Sequence, residues 1–581
     1  MHQTIADVFV EHLVHAGVQR IYGIVGDSLN PVVDAVRRNG QLQWIHVRHE
    51  EEAAFAAGAE AQLSGNLAAC AGSCGPGNVH LINGLYDAHR SHAPVLALAA
   101  DIPSHEIGTM YFQETHPERL FQECSYYCEP VTTPGQMPRV LQIAMQTAIS
   151  KQGVAVVVLP GDIAALPMPD DALVHAPVTQ RPAIRPSDAS IAQLADLLNA
   201  AQKVTLFCGI GAVHAHDEIL ALARALQAPV ASSLRGKAYI EYDNPYAVGL
   251  TGLIGGKAAY NAMHASDLLL LLGTDFPYES FLPTKARIAQ VDIRGENLGR
   301  RSRLDLGLWG DVRETINALL PQVLPKQDKA FLQQALREAE EVRHQFDAYV
   351  DQGHTRRPIR PEYVAATLSE LASADAVFTA DTGMATVWAA RYLKPAKERR
   401  LIGSFNYGSM ANALPQAIGA QLLYPNRQVI ALCGDGGFAM LMGSLFTVLQ
   451  YDLPLKILIF NNGQLDLVKM EMEVAGYPEY QTDLKNPNFA KVAEAAGLMG
   501  IRIEDPADVR PGLQKMLAHP GPVVVDAITN PNALSLPPHI EFDQVKGYAL
   551  SMTRLMLSGR ADEVMDIIKS NIRDLESAKR S

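Results

Sequence analysis

Short, wholly or nearly apolar runs punctuate this chain, separated by longer stretches with helical spacing. Val204-Thr205-Leu206-Phe207, Leu268 to Leu272, Ile288-Ala289-Gln290-Val291, Val429-Ile430-Ala431-Leu432-Cys433 and Ile457-Leu458-Ile459-Phe460 are the clearest runs. A strand covered on both faces needs no polar alternation, so these runs predict inner strands of parallel sheets. Their alternation with helix-like stretches predicts an α/β protein with helices on both faces of each sheet. Proline clusters divide the chain. Pro167, Pro169, Pro177, Pro182 and Pro186 mark one break, and Arg356-Arg357-Pro358-Ile359-Arg360-Pro361 marks another, after a charged helix expected at about 329–352. The expected organisation is three doubly wound parallel-sheet domains, 1–180, 181–335 and 336–530, followed by a C-terminal segment, 531–581. In that segment Val564, Ile567, Ile568, Ile572 and Leu575 share one helical face.

Composition narrows the class. At 581 residues and 48% hydrophobic content, the chain can fill several cores. A net charge of −13 argues against a nucleic-acid partner. No run of 18 apolar residues predicts a membrane span, and Met1-His2-Gln3-Thr4-Ile5-Ala6-Asp7 lacks the basic and apolar regions of a signal peptide. The six cysteines are therefore expected to be reduced cytosolic thiols. The spacings Cys70/Cys74 and Cys124/Cys128 are not a usual zinc pattern.

The candidate chemistry sits where two of the apolar runs end. Gly434-Asp435-Gly436 follows the first, and Asn461-Asn462 follows the second. Open α/β sheets bind ligands at the carboxyl ends of their strands. Asp435 and Asn462 offer hard oxygens across the gap, and the glycines admit close backbone approach. That donor set suits Mg2+ bridging a diphosphate, because Mg2+ completes its octahedron with water and phosphate oxygen. A lone Gly-Asp-Gly would be an ordinary tight turn; the paired asparagines at this spacing favour the metal reading. In the middle region, Cys208-Gly209-Ile210-Gly211 opens an incomplete dinucleotide fingerprint, with His214 at its last position.

The spacing resembles the signature of thiamine diphosphate enzymes of the pyruvate decarboxylase type. Across the chain, Arg48-His49-Glu50-Glu51, Gly72-Ser73-Cys74-Gly75-Pro76-Gly77-Asn78, Tyr111-Phe112-Gln113-Glu114-Thr115-His116-Pro117 and Asn406-Tyr407-Gly408-Ser409-Met410-Ala411-Asn412 resemble the pyruvate oxidase family, in particular its quinone-dependent pyruvate dehydrogenases. The resemblance implies that Glu50 hydrogen-bonds the aminopyrimidine and promotes formation of the ylid, with the cofactor performing the hard step. It implies that Asp435, Asn462 and the Gln464 carbonyl hold the metal. Gly408, Ser409, Met410, Gly436, Gly437, Gly463, Leu465, Asp466, Leu467 and Val468 complete the implied thiamine diphosphate site, with Met410 as an apolar wedge that bends the cofactor. Phe112 and Gln113 would face the substrate. Thr251, Gly252, Leu253, Ile254, Thr274, Asp275, Phe276, Pro277, Tyr278 and Asp292 would contact FAD in a central flavin-binding domain.

The implied activity is oxidative decarboxylation of pyruvate to acetate and CO2, with electrons passed through FAD to ubiquinone or a similar quinone. Two other reactions stay open: an oxygen- and phosphate-using pyruvate oxidase that makes acetyl phosphate, and an acetolactate synthase-like carboligase. Against the carboligase, the loop after the paired asparagines lacks the tryptophan expected there, since the chain has only Trp44, Trp309 and Trp388. A non-catalytic subunit is disfavoured by intact Glu50, Asp435 and Asn462. In the family Glu50 and the metal motif come from different subunits, which implies a homodimer at least and a homotetramer as the expected assembly. Asp466 and Leu467 stand where close relatives tend to carry Gly and Phe, a departure that bears on electron transfer and substrate range. The resemblance also implies a cytoplasmic enzyme docking through its C-terminal segment on lipid at the inner face of the cell membrane. The balanced charges of that segment leave an amphipathic helix packed on the protein itself equally open.

Overall fold

Every one of the five apolar runs becomes an interior strand, three in the second and two in the third of three six-stranded sheets, whose strand pairings are all parallel. The computed structural model describes residues 3–169, 176–533, 550–552 and 571. The first sheet holds β1 (Arg20–Gly23), β2 (Gln43–His46), β3 (Ala68–Gly72), β4 (Val95–Asp101), β5 (Tyr127–Pro130) and β6 (Val154–Pro160), in the order β2-β1-β3-β4-β6-β5. The second holds β7 (Val204–Cys208), β8 (Val230–Ser232), β9 (Ala247–Leu250), β10 (Leu268–Leu272), β11 (Arg287–Asp292) and β12 (Leu306–Trp309), ordered β12-β11-β10-β7-β8-β9. The third holds β13 (Val377–Ala380), β14 (Arg400–Gly403), β15 (Val429–Gly434), β16 (Lys456–Asn461), β17 (Met499–Ile503) and β18 (Val523–Ile528), ordered β14-β13-β15-β16-β18-β17.

The first and third sheets share one connectivity. In both, the chain starts in an inner strand, steps once to one side, then crosses over and builds the other side. Crevices open where such a reversal occurs, so ligand sites are expected at the β1/β3, β13/β15 and β7/β10 strand ends. A charged helix spans Ala330–Gly353. It buries Ala335, Ala339 and Val342 against the second sheet's layer, and its far end meets the third domain, where the Arg360 guanidinium lies 4.4 Å from the Tyr349 ring centroid. Of the amphipathic helix expected from Asp562 onward, all but residue 571 falls outside the described residues.

The first and third domains are fused through small residues. The helix Glu50–Ser64, rich in alanine, packs on Pro76–Arg90 and on Ala413–Leu423. A Cβ on Gly84 would come within 2.6 Å of Ala54 Cβ, and one on Gly419 within 2.1 Å of Ala56 O. Backbones this close leave no room for a larger side chain. Gln416 then donates to Asp87 across the seam at 3.0 Å, and burial pushes the Asp87 carboxyl up to about 6.

All three domains meet at Asp275, just past β10. Its Oδ2 accepts from Asn406 Nδ2 at 2.8 Å and lies 3.5 Å from Arg235 and 3.6 Å from His92. Arg235 and Asn406 also donate to the Ser91 and Arg90 carbonyls, at 2.7 and 3.2 Å. Burial alone would raise the Asp275 carboxyl; the His92 hydrogen bond and the Arg235 charge overcome it and hold the group well below the usual carboxylate range. Burial keeps His92 below its ordinary value, so its imidazole acts as a neutral donor at pH 7.

A prediction follows from the sign of this shift. A carboxyl depressed in the folded state stabilises fully above its unfolded value, about 4, and the contribution is lost as pH falls through the folded value. Asp275→Asn is expected to cost roughly 1–2 kcal/mol at neutral pH, since a charged hydrogen-bond acceptor is lost in a partly exposed setting. Thermal unfolding between pH 3 and pH 8 should show a constant deficit above pH 5 that shrinks below pH 4. A deficit that grows on acidification would contradict the assignment.

Candidate active site

Asp435 follows β15 directly and begins the short helix Asp435–Met440, where negative charge is favoured. Its Oδ2 accepts from Gly463 N at 2.8 Å and Asn486 Nδ2 at 2.7 Å, and its Oδ1 from Gly436 N at 2.9 Å. Burial raises this carboxyl, and those donors work against the rise. Asn462, just past β16, turns its Oδ1 to Gln464 N at 3.0 Å and its Nδ2 to Asp466 at 3.2 Å. The loop between them is braced from outside, because Leu465 N donates to Thr482 O and Leu484 N to Gly463 O, at 2.8 and 2.7 Å. Burial pushes the Asp466 carboxyl up to about 8.

These groups surround a cavity of about 220 Å3 at the β13/β15 switch point, lined by Gly408, Met410, Asp435, Gly436, Gly437, Asn462, Gln464, Leu465, Asp466, Leu467 and Val468. Met410 Cε and Leu465 Cδ2 close on Gly436, at 3.3 and 3.0 Å from where its Cβ would stand. Two other expected residues are placed differently. Ser409 bonds Ser404 and the first domain's Asn83 instead of lining the cavity. Gly463 (φ +71°) backs Asp435 and borders a second opening behind the loop.

The cavity fits a diphosphate and a small hard cation. Gly383 (φ +136°) and Gly408 (φ +85°) hold conformations that favour glycine, and a Cβ on either, or on Gly434, would meet nothing within 4 Å. Thr382 Oγ1 lines the same space, buried and without a hydrogen-bond partner among the described residues. It is a donor in need of an acceptor. Asp435 and Asn462 bring the two hard oxygens Mg2+ needs from protein.

A larger cavity of about 700 Å3 adjoins it. Thr251, Gly252, Leu253 and Ile254 line one wall, Asp275, Phe276, Pro277 and Tyr278 another, with residues 233–235 and 404–406 between the domains. Thr251 Oγ1 is buried there with no partner among the described residues, and Gly252 (φ +102°) lies against the Phe276 ring. A long ligand with a flat aromatic end fits this shape. Thr382, Gly383, Gly408 and Leu467 line both cavities, so the two spaces share a boundary. Thr274 faces instead a small adjacent void with Gln290, Asn297, Arg300 and Arg301. Asp292 lines neither cavity. It accepts from Arg294 N at 2.8 Å and Asn297 Nδ2 at 3.4 Å, and burial pushes it up to about 6.

Glu50 lies apart from both cavities. It opens the helix Glu50–Ser64, is only 5% exposed, and its Oε2 bonds His80 Nδ1 at 2.9 Å. His80 stacks on His49 with ring centroids 4.2 Å apart. Gly77 makes room, since a Cβ there would fall 3.0 Å from Glu50 Oε1 and 2.8 Å from Ser73 Oγ. Gln113 (φ +64°) accepts from Cys74 Sγ at 3.3 Å, whereas Phe112 is 79% exposed. No residue of the first domain lines either cavity, so one protomer does not bring Glu50, Phe112 or Gln113 to Asp435.

Sequence reasoning missed four residues. Asn486 grips Asp435, His80 fixes Glu50, and Thr382 lines both cavities. Asp381 supports the glycine turn, accepting from Ala413 N at 2.9 Å and Gly434 N at 3.2 Å, with burial pushing it up to about 7. A signal existed for Asp381 and Thr382: Val377-Phe378-Thr379-Ala380 runs into Asp381-Thr382-Gly383, an apolar run ending in an acid and a glycine, as at Asp435. Trp388, read only as a residue outside the asparagine loop, proves to line the smaller cavity.

Comparison with known proteins agrees with this layout. Residues 3–120 match the N-terminal TPP binding domain of thiamine pyrophosphate (thiamine diphosphate) enzymes, 191–319 their central domain and 381–527 their C-terminal TPP binding domain. The chain is similar to the protein YdaP of Bacillus subtilis, 36% identical over 571 residues covering 98% of this chain and 99% of that protein. It is similar to a pyruvate oxidase of Lactiplantibacillus plantarum, 32% identical over 88% of this chain and 86% of that one. It is also similar to an acetolactate synthase of Mycobacterium bovis, 30% identical over 91% of this chain and 88% of that one. Since the similarity runs through all three sheets and puts the matched C-terminal domain around Asp435 and Asn462, the chain belongs to the thiamine pyrophosphate enzyme family.

Proposed function

We propose that this enzyme catalyses oxidative decarboxylation of a 2-oxo acid, pyruvate, to acetate and CO2, using thiamine diphosphate, Mg2+ and FAD. The balance is pyruvate plus water plus quinone giving acetate, CO2 and quinol, with ubiquinone or a similar quinone as the electron acceptor. The observation that carries the reading is the shared boundary at Thr382, Gly383, Gly408 and Leu467, which joins a diphosphate-sized cavity to one large enough for a flavin dinucleotide. When bound, thiamine diphosphate supplies nucleophilic addition to a 2-oxo group and storage of the electron pair released with CO2, and FAD supplies a two-electron acceptor.

The chain's own residues divide the remaining work. Asp435, the Asn462 side chain and the Gln464 carbonyl would hold Mg2+, and the open glycines Gly383, Gly408 and Gly434 would admit the diphosphate beside the Thr382 hydroxyl. Met410 and Leu465 form an apolar wall beside Gly436 against which the cofactor would pack. His80 occupies Glu50 Oε2, which leaves Oε1 to hold and return a proton at the pyrimidine ring. Leu467 separates the two cavities with an apolar side chain that excludes water without a π-system. Glu50, Phe112 and Gln113 would reach the cofactor from a second copy of the chain, so the working unit is a homodimer, assembled further into a tetramer. Docking of the C-terminal segment on lipid at the inner membrane face belongs to the same reading. That segment lies almost wholly outside the described residues, and no helix among the described residues is long and apolar enough to cross a membrane.

The acetolactate synthase relative supports a second reading, in which the flavin is bound but takes no electrons. Mixing the holoenzyme with pyruvate in the absence of oxygen separates the two. Bleaching of the flavin absorption with one acetate formed per flavin is the expected outcome; unchanged absorption with accumulating acetolactate would favour the carboligase. Acetyl phosphate formed in phosphate buffer under air would favour the oxygen-using oxidase.

Sharing of the site between protomers is tested by complementation. Glu50→Gln and Asp435→Asn homo-oligomers are each expected to lose at least about 100-fold in kcat, the scale of removing a general acid–base group or a metal ligand. The whole population from equal co-expression of the two chains, randomly assorted, should regain about a quarter of wild-type activity if the two halves come from different protomers. No recovery would place the site within one chain.

A further inference from the structure

Asp466 and Lys469 are the charged residues of the first turn of the helix Asp466–Val474, and both are almost fully buried, 4% and 1% exposed. Their i,i+3 spacing puts them on one face, and side chains on a helix lean toward its N-terminus, here toward the 462–465 loop. Asp466 Oδ2 accepts from Asn462 Nδ2 at 3.2 Å, and Lys469 Nζ donates to Gln464 Oε1 at 3.2 Å. Each of the two loop residues that would offer the ion an oxygen is thus gripped by one member of this pair.

The grip on Asn462 has a chemical consequence. An amide can present either its oxygen or its nitrogen, and only the oxygen binds a cation. With Nδ2 committed to Asp466 and Oδ1 accepting from Gln464 N at 3.0 Å, the amide has one orientation, and Oδ1 keeps a second lone pair for an ion. The grip on Gln464 is closed into a ring. Gln464 Nε2 donates to Asp483 at 3.0 Å and to Glu479 at 3.4 Å, while Glu479 lies 3.6 Å from Lys469 and accepts from Thr482 Oγ1 at 2.7 Å. Lys469 also lies 3.4 Å from Asn532 Oδ1. Fixing the side chain this way restrains the Gln464 backbone, whose carbonyl the metal reading uses as a ligand. Burying a carboxyl and an amine side by side costs desolvation that apolar residues would avoid, so packing alone does not account for them.

We propose that Asp466 and Lys469 are positioning residues that set the Asn462 amide and the Gln464 carbonyl for Mg2+, a role that rests on the reading of Asp435 and Asn462 as the metal site. Outer-sphere partners of this kind typically change metal affinity 10–100-fold when removed. The test is isothermal titration of Mg2+ into the full chain at saturating thiamine diphosphate, with thermal unfolding of the cofactor-free protein as the control of fold. Asp466→Ala is expected to weaken Mg2+ about 10–100-fold and Lys469→Met about tenfold, while Asp466→Asn, which keeps an acceptor for Asn462, stays within about threefold. At Mg2+ far above the new dissociation constants, thiamine diphosphate affinity should return to the wild-type value. Asp466→Leu, which keeps the branched shape at somewhat larger volume with no acceptor, decides the matter if the alanine variant does not fold. Folded Asp466→Ala or Asp466→Leu and Lys469→Met proteins with Mg2+ affinity within twofold of wild type would overturn the proposal. Failure of the underlying reading shows elsewhere, in wild-type protein with no saturable Mg2+ binding beside thiamine diphosphate, and that result would overturn both.

Discussion

Asp435 Oδ2 receives two donors from across the β15/β16 gap, Gly463 N–H and Asn486 Nδ2, before any ion is considered. These bonds hold the acid of one strand end against the loop of the next. A free carboxylate at that position would sample several rotamers and would have to be ordered on binding, at a cost in conformational entropy. Held as it is, it stands opposite Asn462 with its orientation set. Asn486 Nδ2 reaches Asn461 Oδ1 as well, at 3.0 Å, and Asn461 Nδ2 bonds the buried Asp526 at 2.8 Å. A chain of hydrogen bonds therefore runs from the cavity through the end of β16 into β18 in the core of the third sheet. The site inherits the rigidity of the sheet.

The same logic acts at larger scale. The first and third domains repeat one strand order, and each carries a buried candidate carboxyl at a helix start past a strand's end: Glu50 after β2 and Asp435 after β15. The close contact of Gly419 on Ala56 locks these two domains together within a protomer, and in that arrangement the two carboxyls open into different spaces. The cofactor reading therefore needs a second copy, which turns rigid packing inside the chain into a requirement for assembly. The middle domain joins through Asp275, whose contacts with His92, Arg235 and Asn406 hold the larger cavity against the smaller one.

Five interior strands, β7, β10, β11, β15 and β16, were legible because burial on both faces leaves a nearly unbroken apolar run, and the Asp435–Asn462 pair because each sits directly after such a run. Edge strands such as β2, with Gln43 exposed and His46 partly so, mix polar and apolar residues and carry no comparable signal. His80 and Asn486 were not legible because their roles come from contacts across 30 and 51 residues that no local pattern marks. Asp292 was legible as a strand-end acid, yet its oxygens are used by Arg294 N and Asn297. Position at a strand end predicts where a side chain stands, whereas the loop that follows decides what it bonds.

The metal position is the point at which all of this can be checked directly. Crystals of the full chain grown with thiamine diphosphate and Mn2+ in place of Mg2+ would locate the ion by its anomalous scattering. A single peak within coordination distance of Asp435, Asn462 Oδ1 and the Gln464 carbonyl is expected. A fully bound diphosphate with no peak between Asp435 and Asn462, or with the ion elsewhere, would contradict the assignment.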